Sequence, residues 1–255
     1  MTGRLENALR EARNNRRALL VPYVTGGLGD WDRCIEAAAD AGADAIEIGL
    51  PFSDPVMDGP VIQEASQRAL DEGATPAAII DRLGELDVAC PLATMSYYNT
   101  VFRAGHERFA ANLAAAGVSG AIVPDLPFVE SGPWRTIAAA SGVEAVLLAA
   151  PTTPDDRLAA IAAASRGFLY AVGLLGVTGN RDELAATATV LAKRCKAVTE
   201  IPVLIGVGIS SPEQAVEACQ VADGVVIGTS VVRAMMAGGA EAVAELVGEF
   251  RRALS

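Results

Sequence analysis

Eight short apolar runs punctuate the chain: ALLVPYV (18–24), DAIEIGL (44–50), PLATMSY (91–97), GAIVP (120–124), EAVLLAA (144–150), GFLYAVG (167–173), PVLIGVG (202–208) and DGVVIGT (223–229). Most are nearly continuous in their hydrophobicity rather than alternating. Parallel strands look this way when helices cover one face and packed side chains the other. Between the runs, apolar residues recur at helical spacing. DRCIEAAADAG (32–42) is one such segment, and HERFAANLAAAG (106–117) is another, with Phe109, Leu113 and Ala116 on one face. Gly42, Gly117 and Gly142 close helical segments and suit the position just past a helix end. Eight strand–helix units in 255 residues predict one (β/α)8 TIM-barrel domain over 1–255. A doubly wound open sheet is the alternative. It requires a GxGxxG turn after the first strand, and TGGLGD (25–30) lacks that spacing.

Two connections exceed the usual length. Segment 51–75 predicts a functional loop with an extra short helix around 60–70. LLGVTGNRDEL (174–184) carries Gly176 and Gly179 and reads as a lid.

Composition narrows the function. A net charge of -11 argues against a nucleic-acid binder, which shows a basic stripe. A phosphorylated small molecule stays compatible, because backbone N–H groups hold phosphate without net positive charge. Cys34, Cys90, Cys195 and Cys219 form no CxxC pair and read as reduced thiols of a cytosolic protein. One histidine, His106, offers no zinc site of usual composition; near a helix start, it reads as a surface or capping residue. The N-terminal stretch has charges throughout and no signal-peptide core, and no run is long enough to span a membrane. The expectation is a soluble, cytoplasmic protein.

The chemistry is expected at the C-terminal ends of the strands. Glu47 interrupts the second apolar run, and a buried carboxylate is costly unless paired or used. By strand alternation Ile46 and Ile48 face the helices, while Ala45, Glu47 and Gly49 face the interior and leave room for a ligand. Asp58 follows in a loop studded with Pro51, Pro55, Gly59 and Pro60. Turn chemistry alone also accounts for an Asp there, and for Asp54. GVTG (176–179), GVGIS (206–210) and IGTS (227–230) follow the last three strands and read as phosphate contacts. Gly208 permits close approach of the backbone, and Gly228, Thr229 and Ser230 open a helix with free N–H groups. Ser211 before Pro212 also reads as a helix cap. Tyr170 alternates inward with Phe168; it lines a pocket or simply packs the core.

The stretch EIGLPFSDPVMDGPVIQ (47–63) resembles the signature of the tryptophan synthase α-subunit family. VPYVTGG (21–27), MSYYNTVFRAG (95–105), VPDLPFVES (123–131), GVTG, GVGISSPEQ (206–214) and VIGTSVV (226–232) fall in the order of that family, over nearly the whole chain. The resemblance implies a (β/α)8 fold and cleavage of indole-3-glycerol phosphate to indole and glyceraldehyde 3-phosphate. It implies Glu47 as the acid–base group and Asp58 as the partner of the indole N–H. Tyr23 and Tyr170 fall at substrate-side aromatic positions, and Thr178 at the lid threonine that orients Asp58. Gly179, Gly208, Gly228 and Thr229 match the phosphate cradle. Asp54, Asn99, Asp125 and Pro127 lie in stretches the family turns toward a β subunit in an α2β2 complex. No cofactor is implied in this chain; pyridoxal phosphate belongs to the β partner. TGGLGD, Thr100 in place of a common proline, and Leu174 and Leu175 in the lid depart from the family pattern. A stand-alone lyase releasing free indole and a mainly regulatory subunit are the alternatives.

Overall fold

The apolar runs become eight short parallel strands, β1 (Leu19–Thr25), β2 (Ile46–Gly49), β3 (Leu92–Met95), β4 (Gly120–Ile122), β5 (Glu144–Ala149), β6 (Leu169–Ala171), β7 (Val203–Ile205) and β8 (Gly224–Ile227). They close on themselves in sequence order, β8 pairing back onto β1. The computed structural model describes residues 2–173, 181–206 and 208–255, with backbone only for 181–186.

Around the barrel run α1 (Arg4–Asn14), α2 (Trp31–Asp40), α3 (Pro60–Asp71), α4 (Pro76–Leu83), α5 (Tyr98–Ala104), α6 (His106–Ala115), α7 (Gly132–Ala140), α8 (Asp155–Ala164), α9 (Arg181–Lys196), α10 (Pro212–Ala218) and α11 (Thr229–Ala253). The extra helix expected around 60–70 is α3, and Ser211 caps α10 by accepting from Gln214 N. Gly42, Gly117 and Gly142 all have positive φ just past α2, α6 and α7, the conformation that ends a helix without a Cβ clash. The apolar runs extend past the paired strands. β4 stops at Ile122 and β7 at Ile205, because the residues beyond them turn into the loops over the barrel mouth.

Two apolar layers result. Outward residues such as Ile46, Ile48 and Val225 pack with the helices. Inward residues Leu19, Val21, Ala45, Ala93, Ile122, Val146, Phe168, Tyr170, Leu204 and Val226 fill the barrel with Leu5 and Leu9 of α1. Helix α1 plugs the N-terminal mouth. Gly120 and Gly167 make the space: a Cβ on either would fall 2.6 or 2.7 Å from Leu5 Cδ2. The plug is fastened by Glu144 at the start of β5. Its carboxylate accepts Leu5 N–H at 2.7 Å and Glu6 N–H at 3.1 Å, two donors that a helix start leaves unpaired. Glu144→Ala should therefore lower the unfolding free energy by about 1–3 kcal/mol, read from urea denaturation, with activity in folded protein retained. Unchanged stability would mean that water satisfies these amides equally well.

Helix α11 contains a break. Gly238 and Gly239 leave helical geometry, Gly239 at φ +58, and Asp30 Oδ2 accepts Ala240 N–H at 3.3 Å to restart it.

Candidate active site

The loops that follow β2 and β3 meet over the C-terminal mouth. Glu47 comes from β2, where Ala45, two residues earlier, packs in the barrel interior. Its side chain is 1% exposed, and Oε2 has no hydrogen-bond partner. Removal from water disfavours the charged form, and the neighbouring Asp58 charge disfavours it further. Together they push the Glu47 carboxyl up to about 8, so it holds its proton at neutral pH.

Asp58 is half-buried in the loop after β2. Burial raises its pKa and the Tyr97 phenol pulls it back. Two carboxyl groups thus share one mouth in different settings, the arrangement that separates an acid from a carboxylate. Tyr97 is the residue that sequence reasoning missed. Its ring stacks on Phe52 at 5.0 Å, and its hydroxyl accepts Met57 N–H at 2.9 Å, leaving the phenolic proton to face Asp58 next door. Gln63 of α3 adds a hydrogen bond to the Asp58 carbonyl at 2.8 Å. The loop that carries Asp58 is therefore held on both sides. Tyr97 lies in SYYN, beside a second tyrosine, and no spacing separates the two in sequence.

Tyr23 of β1 pairs in register with Glu47. Its phenol lies over Gly49, where a Cβ would overlap the hydroxyl. Tyr170 of β6 leans over Gly206 in the same manner. Burial holds both phenols well above their ordinary pKa, and both feel the charges of Glu47 and Asp58. The inward alternation of Tyr170 with Phe168 is as expected, and the two rings meet edge to face at 5.6 Å.

On the other side of the mouth, α11 begins at Thr229, whose side chain is exposed, with Gly228 immediately before it. A Cβ on Gly228 would lie 3.8 Å from Tyr23 Cβ, so this helix start borders the same pocket. Gly208 after β7 has φ +79 and open space around it. These backbone amides and a helix N-terminus suit an anion such as phosphate. Thr178 and Gly179, together with Leu174 and Leu175, lie outside the described residues.

Asp54, Asn99, Asp125 and Pro127 are exposed on the connections after β2, β3 and β4, Asn99 within α5. Asp125 also has a local job: its Oδ1 accepts Tyr98 N–H at 2.7 Å and fixes the start of α5. Exposed Val56, Phe102 and Val129 lie on the same three connections, at 79%, 67% and 72% exposure. Away from the mouth, His106 opens α6, within 3.1 Å of the Tyr98 hydroxyl and edge-on to Trp134. The four cysteines are free, Cys34 and Cys195 buried and Cys90 and Cys219 half-buried. Among the described residues no helix is long and apolar enough to cross a membrane.

A family model described as the tryptophan synthase alpha chain matches residues 9–253. The tryptophan synthase alpha chain of Thermobifida fusca is 46% identical over 232 residues, covering 88% of this chain and 86% of that protein. That of Streptomyces avermitilis is 42% identical, covering 97% and 93%. Among solved structures, tryptophan synthase from Mycobacterium tuberculosis superimposes with a TM-score of 0.92 at 36% identity, covering 100% of this chain and 99% of that one. The tryptophan synthase subunit alpha of Legionella pneumophila gives 0.89 at 28% identity.

Proposed function

Because the chain belongs to the tryptophan synthase α-chain family, a family of lyases that cleave indole-3-glycerol phosphate, we propose that Glu47 and Asp58 carry this cleavage. The supporting observation is the buried Glu47 carboxyl, whose Oε2 has no hydrogen-bond partner, beside a second carboxyl on a clamped loop.

The reaction is a retro-aldol step. Indole leaves poorly until its C3 is protonated. Glu47 in its acid form donates that proton, and the positive charge developing on the indole nitrogen is met by the Asp58 carboxylate, which accepts the N–H. Glu47, now ionised, takes the proton of the side-chain hydroxyl next to the breaking bond. The C–C bonding pair returns to the indole ring, and the hydroxyl carbon becomes the aldehyde of glyceraldehyde 3-phosphate. Tyr23 and Tyr170 wall the pocket.

Phosphate is held by the backbone at Gly208 and Gly228 and by Thr229 at the start of α11. Thr229→Asp sets a carboxylate against the phosphate. KM should rise at least about tenfold with kcat little changed, measured by initial rates of indole release. An unchanged KM removes Thr229 from the cradle.

The partner is a tryptophan synthase β subunit, in an α2β2 complex, and the setting is the cytoplasm. Asp54, Asn99, Asp125 and Pro127 form the polar part of the docking face, and Val56, Phe102 and Val129 its apolar part. Exposed apolar residues grouped on neighbouring connections and accompanied by polar ones are the composition of a protein interface. This chain supplies no cofactor; pyridoxal phosphate works in the β partner.

A further inference from the structure

Glu47 has neighbours of its own kind but no hydrogen-bond donor on its Oε2. An acid that gives a proton and takes another passes through its carboxylate form. In a buried site that form needs a donor within reach. The groups that face Glu47 are Asp58 from the loop after β2, Tyr23 from β1 and Tyr170 from β6. Asp58 is an acceptor when ionised and repels a second carboxylate. Among these three groups the protein donors are the two phenols.

Geometry selects between the two phenols. Tyr170 stands on β6, not beside β2, and lies over Gly206 just past the end of β7. Tyr23 stands on the strand next to Glu47, in register with it. Its side chain reaches across to β2 and lies over Gly49, two residues beyond Glu47 on the same inward face. The glycine is what admits it, since a Cβ there would overlap the hydroxyl itself. Thr25, the next inward residue of β1, is wholly buried, and its hydroxyl lies beside the Tyr23 phenol. The inward faces of β1 and β2 thus present Tyr23, Thr25 and Glu47 around one side-chain-free position.

We propose that Tyr23 is a positioning residue for Glu47: its phenolic O–H, admitted over Gly49, is the donor that receives the Glu47 carboxylate between the two proton transfers. The phenol keeps its own proton throughout. Burial and the two carboxyl charges keep it far from ionising. It acts by hydrogen bonding only, stabilising the ionised form of the acid and fixing its orientation for the return transfer. This rests on the assignment of Glu47 as the acid–base group.

Tyr23→Phe tests it, because phenylalanine keeps the ring over Gly49 and deletes only the hydroxyl. Loss of a donor to the carboxylate favours the protonated acid. The alkaline limb of the kcat–pH profile should then move up by about one pH unit, with kcat down about tenfold at neutral pH and KM within about twofold. A ring serving only as pocket wall moves neither the limb nor kcat. Wild-type kcat with an unmoved limb overturns the proposal. Glu47→Gln, run alongside, separates the two claims. If it retains turnover, the assignment of Glu47 fails; if it is inactive while Tyr23→Phe behaves as wild type, only the role of Tyr23 fails.

Discussion

Glu47→Gln should lose about 10²–10⁴-fold in kcat while substrate still binds, the range associated with one general acid–base group. Glutamine keeps the shape and the buried position but neither donates nor accepts the proton that C3 and the hydroxyl exchange. The same variant carries a second, independent signature in stability. The folded-state pKa of Glu47 lies near 8, above its ordinary value of 4.5, because burial and Asp58 oppose ionisation. The sign follows directly. The native state keeps a proton that the unfolded chain has released, so the stability linked to Glu47 is fully present below about 4.5. It falls as pH rises toward about 8, by about 1.4 kcal/mol per pH unit within that window. Glutamine does not titrate. Relative to the wild type, the variant should gain stability between about pH 5 and pH 8 in urea denaturation. Equal pH dependence in both proteins would mean that Glu47 ionises freely in the native state. Near-normal turnover would remove it from the chemistry.

Asp58→Asn should cost about 10²–10³ in kcat, the order found when one preorganised electrostatic group is removed from a transition state. The substitution also removes the negative charge that raises Glu47. The residual activity should then fall off at lower pH on the alkaline side, a displacement opposite to the one expected for Tyr23→Phe. A pH profile identical to the wild type, with kcat reduced, would mean that the two carboxyl groups do not sense each other.

Much of this site is legible in the sequence alone. The continuous apolar runs defined all eight strands, because strands covered on both faces have no polar side to interrupt them. Glu47 stood out because it broke such a run, and period-two alternation placed it inward with Ala45 and Gly49. The start of α11 at Thr229 was readable from the glycine before it. What escaped notice depended on partners distant in sequence. Helix α1 reads as a charged N-terminal stretch. Its role as a plug comes from Leu5 fitting against Gly120 and Gly167 and from a cap supplied by Glu144, 139 residues away from Leu5. The break in α11 is stabilised by Asp30, 210 residues before Ala240. Tyr97 was indistinguishable from Tyr98 until the fold turned one toward Met57 and Asp58 and the other toward His106. Local pattern carries strand, helix and face; it does not carry the pairings that closure of the barrel creates.

The docking face illustrates the same limit from the other side. Val56, Phe102 and Val129 are dispersed in sequence and unremarkable singly. Only the order of the strands, β2, β3 and β4 side by side, sets the connections that carry them next to one another. The proposed β subunit would cover the loop that holds Asp58, so partner binding and active-site order share one structural element.

The most direct test of the central claim is indole release from indole-3-glycerol phosphate by the purified chain, followed from about pH 5.5 to pH 9.5, alone and with a β subunit. Indole is expected in both cases, faster with the partner, with an alkaline decline centred near the Glu47 value of about 8. No indole under either condition, or release that is flat through that range, would contradict it.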